Sequence, residues 1–503
     1  MSAVIPGDID ILVVGGGTSG AALAGIIARD TDLRVVVLEA GPDYGSLGEG
    51  NWPRDVLDAT TICRSHQWAY AGLAHPSHTA LTGFDRAKVI GGCSAHNGCV
   101  ALIGHRADYD GWARLGNPGW EWDAVAPAVE RAKQALRVRI PGDDEITPWQ
   151  RRFVAAATAW GIPRSHDMND PDEDQGVDAS PANIFQRMRW NTALAYLDPV
   201  RSRPNLTVVG DALVDKVILS GGRAVAVDVV LDGRVQRVHA GRIVLAAGAY
   251  ESPAILLRSG IGPGEHLRAV GVPVVHELPG VGSNLTDHPG IDIQMDPSPA
   301  MAAEMDAFAA EHWAPDEQTL AKVRSRRCTE AFDLHLYAIT AQSRATGEWS
   351  YRIAIANVEP WGAGSVRLAS TRPHDHPLLD HGFLADPEGH DLEVLVDGLE
   401  IVNEIVDQAP IAEIFGPGPG AVDRADLAAY ARSTVGIYYH PACSCRMGPS
   451  SDSGAVVDAG ARVHGLDNLY VCDASIFPKI MRANTCLPAV TIAEHLAGRI
   501  ATG

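Results

Sequence analysis

Gly15, Gly17 and Gly20 stand at the spacing of a dinucleotide-binding turn in the segment Asp10-Ile11-Leu12-Val13-Val14-Gly15-Gly16-Gly17-Thr18-Ser19-Gly20. The apolar run before them reads as a buried parallel strand. In such a turn the first glycine permits the tight bend and the second lets backbone amides approach a pyrophosphate. The third lets the following helix pack closely on the sheet. That helix, expected from Ala21 to about Arg29, offers its N-terminal partial positive charge to the phosphates. A second apolar run, Val35-Val36-Val37-Leu38, ends at Glu39, about 20 residues on, where a carboxylate accepts hydrogen bonds from a ribose diol. Strand, helix, second strand and acid together predict an adenine dinucleotide site, with Thr18, Ser19 and Ala40 against the ligand.

Composition bounds what else the chain can be. Its 503 residues are too many for one simple core and point to two or more domains. A formal charge of −21 repels phosphate backbones, so no nucleic-acid partner is expected. No apolar run reaches the ~18 residues of a membrane span, so no membrane partner is expected. The first strand begins by Asp10, which leaves no room for a signal peptide, and a cytoplasmic location is expected. Eight cysteines in so long a chain do not form a disulfide framework. Cys443 and Cys445 form a C-x-C pair without further ligand spacing, so no metal is expected and buried packing is the reading for the thiols.

The elements that must carry these residues alternate strand and helix from Asp8 to Ala40. Trp68 to about Gly104 is Gly-rich and loop-like, followed by helical signals at Asp108–Leu115 and Trp122–Leu136. Pro141 to Pro181 is polar, acidic and Pro-rich, which predicts an extended surface excursion or a domain crossing. Strands are expected at Asn205–Val209, Ala224–Leu231, Arg242–Ala247, Trp349–Val358, Gly364–Ala369 and Leu469–Asp473. A helical lid is expected over Ala300–Arg327, and a closing helix over Ala489–Ala501.

Three further segments accompany the N-terminal turn. One is Ala87-Lys88-Val89-Ile90-Gly91-Gly92-Cys93-Ser94-Ala95-His96-Asn97, and another Gly248-Ala249-Tyr250-Glu251-Ser252-Pro253. The last joins His440-Pro441, Cys445-Arg446-Met447-Gly448, Asp473-Ala474-Ser475 and Asn484-Thr485. In this order the four motifs resemble the glucose–methanol–choline (GMC) flavoprotein oxidoreductases over nearly the whole chain. The resemblance implies FAD, which Glu39 alone could not distinguish from NAD. It also implies an α/β architecture: a Rossmann-type FAD-binding domain with an inserted α+β substrate domain on an antiparallel sheet. The FAD domain is expected over 1–155, 196–290 and 436–503, and the substrate domain over 156–195 and 291–435. Val89, Gly92, Ser94, His96, Asn97, Gly98 and Val100 would lie along the flavin. Val214 and Ala247 would lie near the adenosine, and Asp473, Ala474 and Thr485 by the remaining cofactor.

Family resemblance also assigns roles. His440 matches the catalytic base, and a neutral imidazole, with unperturbed pKa ~6.5, can take a hydroxyl proton near neutral pH. Asn484 matches the second catalytic position, where its amide orients the substrate oxygen. Gly91-Gly92-Cys93-Ser94-Ala95-His96-Asn97-Gly98-Cys99 is similar to the choline-oxidase-like version of the motif, in which the histidine is bonded to the flavin's 8α-methyl carbon. A ring merely packed on the flavin is the alternative for His96. Gly98 departs from that version, which has serine there.

The expected activity is oxidation of an alcohol to a carbonyl, with oxygen or another electron acceptor as second substrate. A sugar or glycoside hydroxyl is the expected substrate, held by Glu330, Asp333 and His335 on a strand spanning Arg327–Tyr337, with Tyr439 beside the base; a solvated sheet face is the alternative reading of that strand's polar groups. A small primary alcohol, choline-like or aryl, is the alternative, although the sequence shows no convincing set of aromatics for an ammonium cage. A flavin-dependent hydroxynitrile lyase is the remoter alternative.

Overall fold

The computed structural model describes residues 5–296, 298–415 and 426–503. Its first layer is a five-stranded parallel sheet in the spatial order Leu469–Val471, Arg242–Leu245, Ile11–Val14, Val35–Leu38, Leu206–Val209. The three central strands are Val-, Ile- and Leu-rich with nearly every residue buried, as a parallel sheet covered on both faces requires. The helix Thr18–Asp30 packs against the closing helix Cys486–Thr502 on one side, and a three-stranded antiparallel sheet, Leu213–Ser220, Arg223–Leu231 and Arg234–His239, lies against Arg242–Leu245.

Both neighbours of Ile11–Val14 follow it in the chain but lie on opposite sides of it, Val35–Leu38 on one and the later Arg242–Leu245 on the other. This is a topological switch point, where open α/β sheets leave a crevice beyond the carboxyl ends of their strands. Register brings Val14 level with Leu38 and Leu245, so Gly15, Glu39 and Ala246 all follow at one end. Gly20 is forced by packing: a Cβ there would stand 1.9 Å from the Gly15 carbonyl oxygen.

A second layer is a six-stranded antiparallel sheet in the order Gly436–Ile437, Pro289–Met295, Trp349–Asn357, Leu334–Gln342, Thr319–Val323, Gly176–Ala179. One face buries Leu334, Leu336, Ile353 and Ile355 against the helices Pro148–Trp160 and His390–Val406. The other turns Asp292, Tyr337, Ile339, Arg352 and Ala354 toward a cavity between the layers.

Several expected elements differ. Pro141–Pro181 is not simply extended: Trp149, Phe153 and Ala157 recur at helical spacing on Pro148–Trp160 and are fully buried, a signal the acidic flanks obscure. That helix runs across the division expected after residue 155 and packs on the second sheet. The lid expected over Ala300–Arg327 is a helix only at Pro299–Glu311, and Thr319–Val323 is a fully buried strand. No helix among the described residues is long and apolar enough to cross a membrane. Cys443 and Cys445 are buried, and burial pushes the Cys443 thiol up to about 12.

Candidate active site

Between the sheets lies a cavity of about 480 Å³. Gly15, Gly17, Thr18, Ser19, Glu39 and Ala40 line one end, and Val214, Ala247, Asp473 and Ala474 stand beside them. Glu39 Oε2 accepts from Gly16 N–H and Oε1 from Gly41 N–H, each at 2.8 Å. Burial outweighs those two bonds and raises its carboxyl to about 7. Asp473 is likewise buried and raised by desolvation; its Oδ2 accepts from Gly248 N–H and Ser252 Oγ, and its Oδ1 from Ser475 N–H. Gly17 is unlike Gly20. A Cβ there would meet only Gly92 Cα, at 3.6 Å, so the protein has room for one and the cavity is what it would obstruct.

His96, Asn97, Gly98, Val100, Gly92 and Thr485 continue the lining. Three expected contacts do not. Gly20 faces the sheet, Val89 is buried in the core, and Ser94 bonds to Gly91 O at 2.6 Å and to Thr192, bracing the loop from behind. The His96 ring is buried, and burial together with Arg189 lowers it to about 3, so it is neutral. Its Nδ1 lies 3.4 Å from the Gln67 amide, while Nε2 has no partner among the described residues.

At the other end of the cavity His440 follows Tyr439, whose left-handed φ of 67° turns the chain out of Gly436–Ile437. The turn aims His440 N–H at Asp287 Oδ1, 2.9 Å away. Asn484 precedes the closing helix on a loop held by the buried Arg482–Asp108 pair. His440 Nδ1 lies 3.0 Å from His288 Nδ1, and His288 Nε2 lies 3.1 Å from the Met481 carbonyl oxygen.

These contacts determine the tautomers. A carbonyl oxygen only accepts, so His288 Nε2 carries the hydrogen. Burial lowers His288 to about 3, leaving it neutral with a lone pair on Nδ1. His440 Nδ1–H must therefore donate to it. His440 is itself held well below the ordinary histidine range by burial, then by His288, Arg86 and His335, so its Nε2 presents a lone pair. Asn484 Nδ2 lies 3.3 Å from that nitrogen, and Asn484 Oδ1 accepts from the Tyr337 hydroxyl at 3.0 Å. The arrangement sets a lone pair with the chemistry of a general base beside an amide donor on the cavity lining.

Sequence reasoning missed His288, Asp287, Gln67 and Tyr337. The one signal for His288 is its dipeptide, His288-Pro289, which repeats the type of His440-Pro441. Of the residues expected to hold a polyol, only Tyr439 lines the cavity. The strand begins at Leu334, not Arg327, so Glu330 and Asp333 lie in the loop before it. Glu330 is half-exposed, and Asp333 is occupied by Ser325 N–H and Oγ. His335 is fully buried and stacked on Phe332, centroids 5.6 Å apart. Aromatics do gather: Tyr438 meets Tyr337 at 5.9 Å and His440 at 4.7 Å between ring centroids.

Two GMC oxidoreductase family models match the chain, one over residues 9–290 and the other over residues 360–493. The chain belongs to the GMC oxidoreductase family. Mitochondrial choline dehydrogenase from Mus musculus is 31% identical over 97% of this chain and 88% of its own length. Oxygen-dependent choline dehydrogenase 1 from Chromohalobacter salexigens is 31% identical over 98% of this chain and 95% of its own. Among solved structures, pyridoxine 4-oxidase from Mesorbium loti superposes with a TM-score of 0.85 at 28% identity, covering 99% and 100% of the two chains. A fungal aryl-alcohol oxidase, at 22% identity and a TM-score of 0.81 over 99% of each chain, shares the fold. The protein is thus an FAD-dependent oxidoreductase acting on CH–OH groups. Its cavity fits the cofactor: a glycine cradle that a side chain would obstruct, a buried carboxylate at the end of the second strand and a histidine ring with an unpartnered nitrogen all belong to its lining.

Proposed function

We propose that the protein oxidises a small primary alcohol to its aldehyde, with His440 as the base and Asn484 as the hydroxyl-orienting donor. The observation that carries this is the hydrogen-bond chain from Met481 through His288, which leaves His440 Nε2 as a lone pair beside the Asn484 amide. An alcohol oxygen between the two accepts from Asn484 Nδ2–H and gives its proton to Nε2. Positive charge on His440 is then shared through Nδ1–H with neutral His288. FAD, when bound, supplies the hydride acceptor. Gly15 and Gly17 with the start of Thr18–Asp30 would hold its pyrophosphate, and Glu39 the adenosine ribose. The relatives named for choline and pyridoxine, and the absence of Glu330, Asp333 and His335 from the cavity wall, favour a small alcohol over a sugar.

His288 acts through His440, as a positioning residue. His288→Leu leaves His440 without its acceptor and is expected to slow flavin reduction roughly 10–100-fold. In His288→Gln an amide can donate to Met481 O and accept from His440, and most of the loss should be restored. Equal impairment of the two variants would argue for a packing role only.

His96 is the proposed tether to FAD, supported by its neutral ring on the cavity lining and by an Nε2 without a partner among the described residues. Acid precipitation should give a yellow pellet in wild type and a colourless one in His96→Ala. Flavin released wholly to the supernatant by the wild type would mean the ring only packs against it.

A further inference from the structure

His335 and Lys322 are buried ionisable side chains that the chemistry at His440 leaves unused. His335 is fully buried, and neither of its ring nitrogens bonds to a described residue. Burial holds the ring neutral, well below the ordinary histidine range. The Lys322 side chain is 2% exposed, and Glu173 Oε2, 3.5 Å from Nζ, is its one ion-pair partner among the described residues. Burying such groups without partners is costly, and ordered water normally satisfies them.

Strand pairing puts them in one line across the second sheet. Gly290 pairs with Ala356, Ala356 with His335, His335 with Lys322, and Lys322 with Gly176. The row lies on the face that carries Tyr337 to the cavity, since Ala321, Val323, Leu334 and Leu336 fill the opposite core. It starts two residues from His288. It ends beneath Glu173, whose Oε2 would stand 2.9 Å from a Cβ on Gly176. His335 is within electrostatic reach of both His288 and Lys322, and His440 of His335. At the outer end Glu173 is partly exposed and accepts from Ser165 Oγ at 2.9 Å. The charged groups beside the line are His105, 3.5 Å from Asp174, and the buried Arg482–Asp108 pair.

We infer that this row is a proton outlet, leading from His440 through His288, His335 and Lys322 to Glu173 and solvent. The inference rests on His440 being the base of alcohol oxidation. Each oxidation splits the CH–OH group into a hydride, which FAD takes, and a proton, which leaves the hydroxyl oxygen for His440 Nε2. His440 Nδ1–H then passes to His288 Nδ1, and His288 gives its Nε2 proton through ordered water to His335. His335 protonates Lys322 as Lys322 releases a proton to Glu173, which passes it to solvent. One proton enters and one leaves for each hydride transferred. Reoxidation by dioxygen consumes one proton, which returns along the row and restores the tautomers of His288 and His440.

The test follows flavin bleaching and proton release together, in anaerobic single turnovers of the holoenzyme with a pH-indicator dye in weak buffer. Isoamyl alcohol and choline are the probes, because neither titrates. Wild type should release one proton per flavin, in step with bleaching. His335→Leu, in the middle of the row, and Glu173→Gln, at its solvent end, should bleach near the wild-type rate while proton release lags roughly tenfold or more. The outlet is overturned if wild type bleaches without releasing a proton. It is equally overturned if release keeps pace with bleaching in either variant, which would send the proton out through the cavity. Glutamine keeps the acceptor for Ser165, so Glu173→Gln decides even if His335→Leu folds poorly. A flavin bleached by neither probe would overturn the alcohol-oxidising reading together with the outlet, whereas bleaching with release in step in the variants would overturn the outlet alone.

Discussion

His440→Ala is expected to slow reduction of the bound flavin by alcohol roughly 10²–10⁴-fold, about 3–5 kcal/mol of barrier, while FAD stays bound. The loss is large because Nε2 is the lone pair to which the surrounding hydrogen bonds are directed, and Asn484 cannot take a proton in its place. The pH dependence has a definite sign. His440 must be neutral to act, and burial holds its proton affinity well below the ordinary histidine value of 6.5. The wild-type reduction rate should therefore stay level as pH falls from 9 through 6.5, and decline only at lower pH. Stopped-flow absorbance under anaerobic conditions reads both quantities. An acid limb centred at or above 6.5 would contradict a buried neutral base, and an unchanged rate in His440→Ala would remove His440 from the chemistry.

Gly17→Val should abolish activity by another route. The protein leaves room for a Cβ at Gly17, since only Gly92 Cα lies near, so the variant is expected to fold. Its side chain enters the cavity where backbone amides must approach a pyrophosphate. FAD occupancy should drop from one per chain to below about a tenth, a weakening of roughly 100-fold or more. Gly20→Ala is the contrasting case. Its methyl group would collide with the Gly15 carbonyl, so it should lower thermal stability as well as flavin content. Absorbance at the flavin bands with circular dichroism distinguishes the two. Full flavin content in Gly17→Val would place the pyrophosphate elsewhere.

The sequence made the cofactor end legible because its chemistry is local. The Gly15–Gly20 turn and Glu39 sit within 25 residues, and each role follows from backbone approach or from a strand end. The roles proposed for His440 and Asn484 rest on family motifs, since nothing in their own composition separates them from structural residues. His288 comes 152 residues before His440, and the contact between them exists only because Pro289–Met295 and Gly436–Ile437 pair in one sheet. The polyol assignment failed for a related reason. Alternation in Arg327–Tyr337 mimics a strand, but pairing with Trp349–Asn357 starts at Leu334, and the cavity wall begins only at Tyr337.

The most direct test of the account is anaerobic mixing of the holoenzyme with a small primary alcohol and with the same alcohol deuterated at its carbinol carbon. The account predicts that the flavin bleaches, that the aldehyde is formed in equal amount, and that deuteration slows bleaching severalfold because that C–H bond breaks in the step. A flavin that stays oxidised with every primary alcohol tried, or bleaches at a rate indifferent to deuterium with no aldehyde formed, would contradict it.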